Sequence, residues 1–82
     1  AGPKRIEELV RKTVLAEVAE VRDVTHVAVH VFNSGVATEV TIEVNPKRLV
    51  SEAGEIAAAA RTAIEQIHGI RSADIHLELE DE

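Results

Sequence analysis

Four histidines stand among fifteen acids in this 82-residue chain, and no cysteine accompanies them. Without thiols there is no disulfide framework, thiolate metal site or thiol nucleophile. Imidazole suits Zn, Cu, Fe or Ni, and carboxylates extend the range to harder cations. His26, His30, Glu39 and Glu43 lie in the stretch Val24–Val44, two runs alternating at period two around Asn33-Ser34-Gly35. Alternating runs mark half-buried strands, and the Asn/Ser/Gly cluster marks a hairpin. With Ser34-Gly35 as the turn, His26 is expected opposite Glu43 and His30 opposite Glu39. Facing residues on paired strands lie close enough for two His/Glu pairs. His26 and His30 are roughly 13 Å apart along one strand at ~3.3 Å per residue, so one ion cannot bridge both. A site then needs two separate pairs or a second chain. The alternative is plain electrostatic pairing on an exposed face.

The same register puts Val27, Val29 and Val31 against Ile42, Val40 and Thr38 on a core side. Ala28, Phe32, Ala37 and Thr41 join the histidines on the other side. Upstream, Pro3 suits a first helical turn, and Glu7 and Glu8 complement the helix dipole. Ile6, Leu9, Val10, Thr13, Val14 and Val18 recur at helical spacing to about Glu20. Val21 to Val24 is read as a turn into the hairpin. Downstream, Asn45-Pro46 stops the second strand, and Lys47 to Val50 form a short connection. Ser51 reads as the N-cap of a helix ending near His68 at Gly69. In the last strand Ile75, Leu77 and Leu79 are expected inward, with Asp74, His76, Glu78 and Glu80 outward. The order is α-β-β-α-β. A right-handed crossover makes the last strand parallel to the second. Each strand offers one apolar face, so both helices must cover that face. The fold class is therefore α+β, a two-layer ferredoxin-like sandwich with a three-stranded sheet and one open face.

Composition narrows function. Residues 1–82 suffice for one small domain, whose core must be aliphatic because Phe32 is the only aromatic residue. A net charge of −6 argues against nucleic acid. No apolar run approaches the ~20 residues that cross a bilayer. The chain contains no Met, so it begins after processing or is a fragment of a longer protein. There is no phosphate loop, nucleophile elbow or His-Glu-x-x-His, and no small-molecule substrate is evident. Ser34 and Ser51 have turn and cap explanations, and the chain is read as non-enzymatic. His68, at a helix end, favours the dipole there. The flat patch of Phe32, Ala28, Ala37 and Thr41 suits a symmetric homodimer.

Val21-x-x-Val24, Ser34-Gly35, Val40-x-Ile42-x-Val44, Ser51-Glu52-Ala53, Ile56-Ala57, Ile64-Glu65 and Ala73-Asp-Ile-His-Leu-Glu78 together cover most of the chain. In these the chain resembles the cytoplasmic C-terminal domain of cation diffusion facilitator transporters. The resemblance implies the α-β-β-α-β order, a homodimer below a membrane-embedded parent region, and a bound divalent cation such as zinc. His76, with Glu78 beside it, matches the histidine near the end of that family's last strand. The sequence departs from the family at Gly54, where a histidine is usual, and at His30-Val31-Phe32, where the family is Arg-rich. An alternative reading is a non-enzymatic assembly module, resembling alkaline-shock proteins or the ring-building domains of secretion machines.

Overall fold

The computed structural model describes residues 2–47 and 50–79 and has the expected element order. Helix α1 spans Pro3–Glu17, strands β1 and β2 span Val21–Phe32 and Gly35–Val44, helix α2 spans Val50–Glu65, and strand β3 spans Ile70–Leu79. The sheet order is β1-β2-β3, antiparallel between the first two strands and parallel between the last two. Val10, Val14, Ile56, Ala60 and Ile64 from the helices meet Val24, Val27, Val40, Ile42 and Val44 in one aliphatic core. Both helices lie on the same side of the sheet, as the single apolar face of each strand requires.

The hairpin register differs from the sequence expectation by two residues. Phe32 pairs with Gly35 and His30 with Ala37, so Asn33-Ser34 form the turn. Gly35 adopts φ +137°, and a Cβ there would lie 3.3 Å from the Gly69 carbonyl oxygen. That crowding and left-handed backbone require glycine as the first residue of β2. A two-residue slip preserves every side chain's face, which is why face sorting alone cannot detect it. His30 therefore does not face Glu39 directly, and His26 faces Thr41 rather than Glu43.

Val21 to Val24 is strand, not turn. Register shifts at Val21/Asp23 and Val24/His26 are bulges, each adding one residue to β1. They turn a three-residue spacing into a core stripe, with Val21, Val24 and Val27 all buried. The guanidinium of Arg11 donates to the Val24 carbonyl between the bulges, and Asp23 Oδ1 accepts from the Val24 amide at 2.8 Å.

Helix ends also move slightly. α1 stops at Glu17, and Val18 closes it by donating to the Val14 carbonyl at 2.9 Å. Its first turn carries no acid, so Glu7 and Glu8 sit too far along to serve the dipole as expected. Ser51 lies inside α2, not before it; residues 48–49, just before Val50, are outside the described range. α2 ends at Glu65, and Gly69 makes the expected left-handed exit at φ +91°.

Two expected core groups are partly outside. Leu9 is 47% exposed on α1, while Leu77 and Leu79 are 43% and 60% exposed on β3. A ten-residue strand runs ~33 Å and a sixteen-residue helix ~24 Å, so β3 outlasts its helical cover.

Candidate metal centre on the open sheet face

Rows of side chains cross the uncovered face. In the register found, Ala28, Glu39 and Asp74 form one row, and His26, Thr41 and His76 the next. His30 and Ala37 lie on one side of these, with paired Glu43 and Glu78 on the other. Each position follows from strand alternation, since residues two apart along a strand share a face.

Glu39, Asp74 and His76 each bring one ligand atom within 4.8 Å of the other two. His76 Nε2 lies 3.3 Å from Asp74 Oδ2. On the other flank His30 Nε2 lies 3.3 Å from Glu39 Oε2, reaching diagonally across the hairpin. Each carboxylate thus has an imidazole neighbour, an arrangement that offsets the repulsion between two facing acids. All three clustered residues are exposed, leaving space for water around an ion. One nitrogen and two oxygen donors fit a borderline divalent cation. Exposed His and carboxylate donors without thiolate favour loose binding with retained water.

Of the residues singled out from sequence, His76 and Glu39 are brought together and His30 touches Glu39. Glu78 pairs with Glu43 across β2 and β3, away from that cluster. His26 lies two strands from His76, with Thr41 between them. Glu80 is outside the described residues. Asp74 is the candidate donor that sequence reasoning missed. Its signal was available: Asp74-x-His76 puts a carboxylate and an imidazole on one face of one strand. The parallel β2–β3 register that adds Glu39 could not be read from local pattern.

The expected contact patch is open to solvent in part. Ala28, Ala37 and Thr41 are half-buried by their neighbours. Phe32 is 62% exposed and lines a shallow hollow with Gly35, Ala37 and Arg71. Arg71 Nη1 donates to Ser34 Oγ at 2.6 Å, tying β3 to the hairpin turn.

Comparison with solved structures finds the same architecture in variants of the MamM CTD. A His-to-Ala variant superimposes with a TM-score of 0.88 at 23% identity, covering 95% of this chain and 98% of that one. A Glu-to-His variant in a nickel form gives 0.88 at 22%, covering 95% and 99%. An Asp-to-His variant in a copper form gives 0.88 at 23%, covering 95% and 98%. At such identities the likeness concerns the fold. Comparison with curated protein sequences gives no match. The family profile described as "Cation efflux protein, cytoplasmic domain" (ZT_dimer) matches residues 3–80. The element order, the one-sided sandwich and this match over nearly the whole chain lead to one conclusion: the chain belongs to the family of cytoplasmic domains of cation efflux transporters.

Proposed function

We propose that the domain senses a divalent cation on its open sheet face and couples that binding to association with a second copy. The observation that carries the reading is the convergence of Glu39, Asp74 and His76 within 4.8 Å. Zinc is the proposed ion, because one imidazole among oxygens favours it over Mg²⁺ or Ca²⁺. The nickel and copper forms of MamM CTD variants support a site for borderline divalent metals on this fold. A cation here would neutralise two facing carboxylates and hold β2 to β3 through their side chains.

The partner is a second copy, meeting the patch of Phe32, Ala28, Ala37 and Thr41. This patch shares the face of the candidate cluster, so a facing copy brings further donors. Glu78, His26 and His30 of the facing copy then contribute to a shell that one chain leaves open. Family membership supports a place on the cytoplasmic side of a membrane-embedded transporter region in a longer protein. It also removes support from the alkaline-shock and ring-building alternatives.

Zn²⁺ titration followed by histidine ring NMR tests the site. His76 signals should move in the wild type, and His76→Ala and Asp74→Asn should each weaken binding about tenfold or more. Unmoved His76 signals at millimolar Zn²⁺ would refute the reading.

A further inference from the structure

The helix layer carries a feature that metal sensing does not use. Lys4, Arg5, Glu8, Leu9 and Lys12 form one continuous strip of α1 around a shallow hollow. At its centre Leu9 is 47% exposed. Glu7, the other acid of this segment, is matched by Arg11 at 3.9 Å. Residues 4–12 hold four Lys and Arg against two Glu, a local charge of +2 in a chain of net charge −6. Val18 and Val21 join α1 to β1 through a tight turn, so the two elements run antiparallel. The basic start of α1 therefore lies toward the hairpin end, where Val31 is 63% exposed on the helix side of the sheet. Acids gather elsewhere: Glu20, Glu52 and Glu55 surround a hollow at the opposite end of α2.

We infer that this strip of α1 docks on an anionic lipid surface. Charge complementarity selects the occupant. A second copy meeting the strip with its own strip would oppose like charges. Meeting the acidic end instead would give a contact distinct from the two-fold pairing on the open sheet face, one that closes into a ring or runs on as a filament. An anionic leaflet offers many phosphates at once, and each basic residue near it contributes about 1 kcal/mol, a roughly fivefold gain in partition. Leu9 adds apolar contact at headgroup depth. The inference rests on the placement of this domain beside a membrane and is independent of the metal site.

Vesicle flotation of the free domain in EDTA tests it, with pure phosphatidylcholine vesicles against vesicles containing phosphatidylglycerol. At about 50 mM salt the anionic vesicles should bind about tenfold more protein, and the preference should collapse near 0.3 M. Lys4→Glu with Lys12→Glu should abolish the preference, while Arg61→Glu on α2 should leave most of it. Circular dichroism confirms that each variant is folded. Equal binding to both vesicle types, or an equal loss in the Arg61 variant, would overturn the proposal. Soluble polyphosphate competing as well as lipid, per phosphate, would also overturn it by showing a generic anion site. Because metal is absent throughout, failure here leaves the metal reading standing, and failure of the metal titration leaves this one standing.

Discussion

Asp74 and His76 show how much chemistry depends on two positions of one strand. Their side chains meet at 3.3 Å because β3 is regular there, and Glu39 joins them only through the parallel pairing with β2. Neutral imidazole is the form that binds metal, so protons and cation compete for His76. Zn²⁺ affinity is therefore expected to fall as the solution is made more acidic. Calorimetric titrations at several pH values check this, and the same slope in His76→Ala would remove His76 from the site. Within one chain His30 contacts Glu39 and is not among the three clustered donors. His30→Ala should therefore weaken binding less than His76→Ala does in the same titrations. The histidines and acids of this face were legible from alternation alone, but their grouping was not. Local pattern assigns a face, whereas neighbours on that face depend on a register set by a distant strand.

Among the elements, the hairpin and α2 separate what sequence fixes from what packing decides. The α-β-β-α-β order follows from apolar periodicity, and both helices fall on one side as each single-faced strand demands. The two-residue shift of the hairpin escaped because Gly35, not Val36, is the first paired residue of β2. Its cause is a close approach to Gly69, thirty-four residues away in sequence. Gly35→Ala should destabilise the fold by about 1–3 kcal/mol, through both crowding and an unfavourable φ. Gly54 lies inside α2, where an added Cβ meets nothing within 4 Å. Gly54→Ala should thus stabilise by about 0.5–1 kcal/mol. Urea denaturation of the two variants gives opposite signs if these local accounts hold. The bulges in β1 escaped for a related reason. Val21, Val24 and Val27 repeat at three, which suits neither a regular strand nor a regular helix until two extra residues are absorbed.

At the scale of the whole domain, one face of the sheet supplies the core and the other is uncovered by the helices. Phe32 is the largest apolar side chain on that open face and is mostly exposed. Phe32→Glu should weaken self-association by about tenfold or more, since a charge is placed at an apolar contact. The fold and its family were legible because aliphatic alternation survives small errors of register. Association was less so, because exposure of Phe32 and the half-burial of Ala28 and Ala37 appear only once the sheet is assembled. The most direct test joins the site to the assembly. Sedimentation velocity across a concentration series, with and without Zn²⁺, measures how metal changes the dimer equilibrium. The account predicts that Zn²⁺ tightens the wild-type dimer and leaves His76→Ala unchanged. A wild type that remains monomeric at high micromolar concentration with saturating Zn²⁺ would contradict it.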